Sequence, residues 1–172
     1  MNQSASPHTP PQWPLAPPTL VRSDGVERRA NSRCLRFWQE LAGGRRFPSR
    51  AAVTREAAGD LWDHLFIVEA TPIPADYRFV MAGAVLQAAL GSDPTNVKVS
   101  EALPDGMGTR SLFLHQAAVG LKGPVDDAAK WTRADGTEIL YRSILLPLSD
   151  NGETVNALLG AFSFRPVVAP GS

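Results

Sequence analysis

The sequence predicts an α+β fold: one sheet of five antiparallel strands, a helical insert after the second strand, and helices ahead of the first. Three observations carry this expectation. Apolar runs of strand length stand at 65–70 and 77–83, then at about 127–134, 138–148 and 154–164. The linker TPIPAD between the first two runs holds two prolines and is too short for a crossover helix, which makes that pair an antiparallel hairpin. Between 84 and 123 the apolar period turns helical, and strands resume only after Pro124. Strands and helices grouped in this way, rather than alternating one by one, form an α+β plan.

The elements follow in order. Residues 1–27 are rich in Pro, Ser, Thr and Gln and cannot bury enough apolar surface to offset their ordering, so a disordered tail is expected there. Trp13 and Leu15 are its two candidates for a short docking motif. Flanking helices are expected over 28–64. In NSRCLRFWQELAGGRR, Asn31 or Ser32 caps the start and Gly43-Gly44 permits the left-handed residue that ends the helix. Cys34, Leu35, Phe37, Trp38 and Leu41 form its apolar stripe. A shorter helix is expected from Thr54 to about His64, with Leu61 and Trp62 inward.

The core is expected over 65–166, with a short tail at 167–172. AVLQAAL reads as a helix that Gly91 ends, and SDPTNVKVSEALPDG as loop with room for one helical turn. TRSLFLHQAAVGLKG reads as a helix with Phe113, Leu114, Ala117, Ala118 and Leu121 on one face. Asp135-Gly136 and Asn151-Gly152 are turn dipeptides that join the last three strands as tight hairpins. The middle strand of that group is apolar on both faces. Ile139, Tyr141 and Leu145 fall on one side, and Leu140, Ile144, Leu146 and Leu148 on the other. One face is expected to meet the middle helices or a ligand, the other a helix or a second subunit. Which row faces which side stays open, because a slip of one residue exchanges them.

Bulk properties exclude several functions. A chain of 172 residues fits one domain, and its 44% hydrophobic and 20% charged composition is that of an ordinary soluble protein. Seventeen Lys+Arg against seventeen Asp+Glu leave no overall field to recruit nucleic acid or a membrane surface. One cysteine, Cys34, rules out an intramolecular disulfide framework and a cysteine-rich zinc site. With no signal-peptide pattern and no apolar run of spanning length, a cytoplasmic protein is expected. Charge is uneven locally, since nine arginines between Arg22 and Arg55 face only Asp24, Glu27, Glu40 and Glu56.

Several stretches together resemble a known family. Trp38 and LAGGRRFPSR, the strand Phe66 to Val68, Tyr77-Arg78 with Gly83, and the Leu146 to Gly152 hairpin followed by Leu158 to Gly160 stand in the order found in small single-domain PAS proteins of alphaproteobacteria. The resemblance covers roughly residues 33 to 165. It departs at Thr54-Arg55, where such proteins carry an acidic residue and proline, and at SDPTNVKV after Gly91. The resemblance implies a PAS-like sheet with a helical insert and a cavity between the inner sheet face and the middle helices. Phe66, Val68, Phe79, Met81, Leu86, Phe113, Ala117, Ile144, Leu146 and Phe162 are the residues expected to line it, around a small apolar or aromatic ligand or as filled core.

Other residues invite sharper readings. NSRCLRFWQ echoes the Asn-Cys-Arg-Phe-Leu-Gln of flavin-binding light sensors, but Cys34 precedes the first strand and cannot take that cysteine's place, so packing is expected. His115 lies on the helix that carries the iron ligand in haem-binding PAS sensors, yet its helical phase points it to solvent. His64 is expected to cap a helix C-terminus. Arg45, Arg46 and Arg50 are candidates for binding an anion such as a cyclic dinucleotide, since guanidinium forks suit phosphate, although the companion strand motif of PilZ-type receptors is missing. Structural pairing of Arg45 or Arg50 is the other reading. No nucleophile–base–acid set, P-loop or dinucleotide fingerprint occurs, so no enzyme activity, metal or cofactor is expected.

The functional expectation is a sensory or regulatory PAS module without its own output domain, acting through a protein partner or homodimer and gated by a small ligand. Leu35, Trp38 and Leu41, set on the outer face of the sheet, are the expected contact. A cyclic-nucleotide effector and a haem or flavin sensor are the alternatives.

Overall fold

The computed structural model describes residues 26–104 and 107–167, with side chains from residue 29 onward. The expected N-terminal tail, with Trp13 and Leu15, lies outside the described residues. Helix α1 spans Val26–Ala42. It begins before the expected caps because Glu27, Arg28, Arg29 and Ala30 are compatible with helix and Ala30 extends the buried stripe of Cys34 and Phe37 by one turn. Asn31 therefore sits inside the helix, and its Nδ2 donates to the Ser143 carbonyl at 3.1 Å. Gly43 and Gly44, at φ 56° and 88°, end the helix as expected.

The helix expected over 54–64 is split. Helix α2 covers only Arg55–Ala58, with Thr54 Oγ1 accepting from the Ala57 N–H at 3.1 Å, and a 3-10 helix continues over Gly59–His64. Gly59, at φ 57°, marks the break.

Strands β1 (Leu65–Glu69), β2 (Arg78–Ala82), β3 (Val125–Thr132), β4 (Glu138–Leu148) and β5 (Ala157–Val167) form one antiparallel sheet in the order β2-β1-β5-β4-β3. Helices α3 (Ala84–Leu90), α4 (Val99–Ala102) and α5 (Met107–Leu121) fill the segment between β2 and β3. Gly91 ends α3 in the left-handed region and donates its N–H to Gln87 O at 2.8 Å. The two turn dipeptides bend the chain, but not as the tight hairpins expected: residues 133–137 join β3 to β4, and residues 149–156 join β4 to β5. Asp135 Oδ1 accepts from Thr137 N, and Asn151 Oδ1 accepts from Glu153 N and Thr154 N. Among the described residues no helix is long and apolar enough to cross a membrane.

Both faces of the sheet are covered. The inner face (Phe66, Val68, Phe79, Tyr141, Leu145, Phe162) packs on Leu86, Ala89, Val99 and Ala118 from α3, α4 and α5. The outer face (Leu65, Ile67, Ile144, Leu146, Leu148, Leu159) packs on Cys34 and Phe37 of α1 and on Leu61. Leu35, Trp38 and Leu41 flank this seam, partly buried. The Trp38 indole donates to the Pro147 carbonyl at 2.7 Å. Trp38→Phe keeps an aromatic body but leaves that carbonyl without its donor, and is expected to lower stability by about 1 kcal/mol. A urea midpoint equal to the wild type's would show that the bond contributes nothing.

Register explains which residues left their expected face. In β2 one extra residue sits where the β1 pairing jumps, so that Ile67 faces Met81 while Val68 faces Phe79. Simple alternation puts Phe79 and Met81 together. The bulge at Val80 turns Met81 to the outer layer and keeps Phe79 and Ala82 inside. In β4, Ser143 lies opposite Phe162, and Ile144 opposite Ala161. Phe162 faces inward, so the odd-numbered row of β4 faces inward with it. Ile144 and Leu146, expected at the cavity, instead pack under α1.

Candidate functional site

Between the inner sheet face and α5 lies a cavity of about 50 Å³. Phe66, Phe79, Leu86 and Phe162, four of the ten expected residues, line it. Val68 is buried in the same core without reaching the cavity wall. The remaining expectations are corrected. Met81, Ile144 and Leu146 face outward for the reasons of register given above. Phe113 is 59% exposed, and Ala117 lies between it and solvent-exposed Leu121 along the outward side of α5.

α5 is rotated relative to its apolar pattern. Gly108, His115 and Ala118 are its buried residues, and Ser111 lines the cavity on the same side. Small residues decide this. A Cβ on Gly108 would stand 2.9 Å from Ser100 O, so the helix approaches α4 at a distance only glycine allows. The close approach carries His115 inward with it. His115 is 4% exposed and lines the cavity, contrary to the solvent-facing position expected.

The His115 ring is fixed from within its own helix. Ser111 O lies 2.6 Å from Nδ1, and a carbonyl only accepts, so Nδ1 carries the proton. Nε2 is then a bare acceptor, and it is buried without a partner among the described residues. Burial, opposed by the Ser111 contact, lowers the His115 pKa to about 4, which keeps the ring neutral near pH 7.

A second polar group stands on the far wall. Asp127 on β3 accepts from both the Arg110 guanidinium of α5 and the Tyr141 hydroxyl of β4, the latter at 2.8 Å. Arg110 Nε lies 3.3 Å from Oδ2, and Arg110 Nη2 pairs with Oδ1. Its hydrogen bond to Asp127 raises the Arg110 pKa, and burial first, then the neighbouring carboxylate, raises that of Tyr141. The carboxylate is thus neutralised and its oxygens are occupied. Sequence reasoning passed over Asp127, although one signal marks it. It stands in phase with Val125, Ala129 and Trp131, the inward row of β3.

The other candidate residues do not converge on a site. Arg45 places Nε 3.2 Å from Ala42 O and Nη2 3.4 Å from Leu41 O, closing the C-terminus of α1. Arg46 lies over the Phe47 ring at 5.1 Å, and the Arg50 backbone N–H points to Asp150. These three cations serve local structure and make no joint anion cradle. His64 does not cap a helix; its Nδ1 lies 2.9 Å from Phe162 O and ties the start of β1 to β5. Cys34 is fully buried on the outer layer, where burial pushes its thiol up to about 12. It is on the opposite side of the sheet from the cavity. Among the described residues no group of three His, Cys, Asp or Glu is placed to hold a metal ion.

Size bears on the cofactor alternatives. Cofactor and drug-sized sites run to roughly 300–1,000 Å³, against about 50 Å³ here. Neither an isoalloxazine nor a porphyrin fits between these walls as they stand, and no cysteine faces the cavity.

No curated protein matches the chain. Among solved structures it is similar to the PAS domain of Bordetella pertussis BvgS, at 11% identity over 62% of this chain and 77% of that one, with a TM-score of 0.47. It is similar as well to the PAS domain of a Colwellia psychrerythraea protein, at 17% identity over 66% of this chain and 93% of that one, TM-score 0.47. A Rhodobacter sphaeroides LOV protein matches at 13% identity over 62% of this chain and 60% of that one, TM-score 0.42. The family described as PAS domain matches residues 26–163, nearly the whole of the described structure. The chain belongs to the PAS domain family, whose members are sensory and regulatory modules.

Proposed function

We propose that this PAS domain is a regulatory module that couples a small molecule in the inner cavity to a protein partner met at the helical outer layer. The observation that carries the reading is a cavity bearing a buried acceptor, His115 Nε2, that no group among the described residues satisfies. A route outward exists in the backbone. Ser143 of β4 lines the cavity, and its carbonyl accepts from Asn31 of α1. A ligand that shifts β4 at Ser143 therefore acts on α1, where Leu35, Trp38 and Leu41 keep part of their surface open. A second copy of the chain is one partner such a surface could take.

Affinity capture with the full chain tests this, alongside a cavity-filling variant, Leu114→Phe, and a surface variant, Leu35→Glu, each checked for folding by circular dichroism. A retained protein is expected to be lost with Leu35→Glu and to change in amount with Leu114→Phe. Retention indifferent to Leu35→Glu overturns the placement of the contact, and indifference to Leu114→Phe overturns the gating. Light scattering across concentrations reads the self-association arm.

A further inference from the structure

We infer that the cavity selects a small neutral molecule that donates one hydrogen bond, from an O–H or N–H group to His115 Nε2, while its apolar body lies against Phe66, Phe79, Leu114 and Phe162. This inference rests on the proposed role of the cavity as the sensing site and names the chemistry of what enters it. Four observations converge. The Ser111 carbonyl at 2.6 Å holds the proton on Nδ1, so Nε2 presents a lone pair and not a donor. That nitrogen is buried, lines the cavity through its ring and lacks a partner among the described residues. Such orphaned buried acceptors are rare in native proteins and point to an occupant.

Charge then narrows the class. An anion would face the His115 lone pair at one wall and the Asp127 carboxylate at the other, with aromatic and aliphatic carbon between. Tyr141 offers it nothing, because its hydroxyl proton is committed to Asp127. A cation gains little from Asp127, whose oxygens already accept from Arg110 and Tyr141, and it would shed its hydration into mostly apolar walls. Size completes the description. The volume of about 50 Å³ exceeds the roughly 10–15 Å³ that one water needs and falls well below the roughly 150 Å³ cavity that admits benzene. A molecule larger than water and smaller than benzene matches it.

Three probes of three heavy atoms each separate the possibilities on the full chain: ethanol, which donates, acetonitrile, which does not, and formate, which is anionic. Nitrogen-15 spectra of the histidine rings read the site directly. The expected result is an apo His115 in the Nδ1–H tautomer, whose Nε2 resonance moves upfield and saturates with ethanol. Half-saturation is expected at about one tenth of the acetonitrile concentration that displaces xenon from the same cavity, the factor one neutral hydrogen bond supplies. Formate is expected to leave the spectrum unchanged. Equal affinity for ethanol and acetonitrile, or an Nε2 that never moves, overturns donor selection while leaving the sensing cavity intact. An Nε2 already upfield without probe and indifferent to all three means a resident water and overturns the inference. Failure of xenon and every probe to enter overturns the cavity reading itself. His115→Phe, with its folding checked by circular dichroism, should abolish the preference for ethanol over acetonitrile.

Discussion

Gly160→Ala is expected to destabilise the domain by about 3 kcal/mol, the upper end of what an added methyl costs in a packed core, and to close the inner cavity. Gly160 of β5 pairs with Phe66 of β1 on one side and with Leu145 of β4 on the other. The Phe66 ring lies across the glycine. A Cβ built there would stand 2.0 Å from the nearest ring carbon, whereas carbon atoms rest at about 3.5–4.0 Å. The ring must therefore leave its position. Its edge-on contact with Phe79, centroids 5.8 Å apart, bars one direction, and the cavity it lines provides the other. Urea denaturation measures the stability loss, and xenon uptake measures the lost space. Adding Phe66→Leu to Gly160→Ala should recover part of the loss, since the clash needs both side chains. A Gly160→Ala protein with the wild-type urea midpoint would mean that Phe66 has another resting place of equal energy.

The second large effect is a loss of stability in mild acid. An unfolded histidine titrates near 6.5, and buried His115 resists protonation down to about 4. Above pH 6.5 both states are neutral at this residue and it makes no pH-dependent contribution. As pH falls through 6.5 the unfolded chain gains a proton that the folded one refuses, and stability declines until the folded ring titrates near 4. The window between the two values amounts to about 3 kcal/mol. Urea unfolding at a series of pH values between 7.5 and 4 reads this slope. A His115→Gln variant should flatten it, separating this residue from Asp60, Asp93 and Asp135, whose hydrogen bonds, joined at Asp60 and Asp135 by neighbouring charges, lower their carboxyl pKa values. An equal slope in the wild type and the variant would show that His115 takes its proton readily in the folded state.

Much of the fold was legible because its signals are local. TPIPAD, Asp135-Gly136 and Asn151-Gly152 each turn the chain through side chains and glycines within a few residues. The order of the five strands follows from such punctuation, although β5 starts at Ala157 and not near 154 as expected. The faces were harder, because a face is set by pairing with a distant strand. One bulged residue at Val80 separates Met81 from Phe79, and the pairing of Ser143 with Phe162 sends Ile144 and Leu146 outward. Neither event leaves a mark in the periodicity of its own strand.

The site was less legible for a related reason. Helix α5 has its large apolar residues Phe113 and Leu121 at the surface, while Ser111, His115 and Ala118 face the sheet and Gly108 meets α4. Apolar periodicity weights side chains by size and hydrophobicity, but close approach is decided by smallness. Here the glycine at 108 sets the rotation, and the histidine at 115 follows it into the cavity. Asp127 shows the opposite case, an acid among inward residues whose position was readable from strand phase alone.

Pro147 has a consequence for colloidal behaviour. Strand β3 stops pairing with β4 at Leu145, opposite Val125, so the last residues of β4 meet no strand on that side. Such a free edge is a template for chain-to-chain aggregation. Here the edge holds a proline, which has no N–H to offer an incoming strand. Its carbonyl is taken by Trp38, and Ser149 N is taken by the carbonyl of Pro48. The segment around Pro48, between α1 and α2, thus acts as a cover for an edge, and the two prolines keep this end of the sheet from growing.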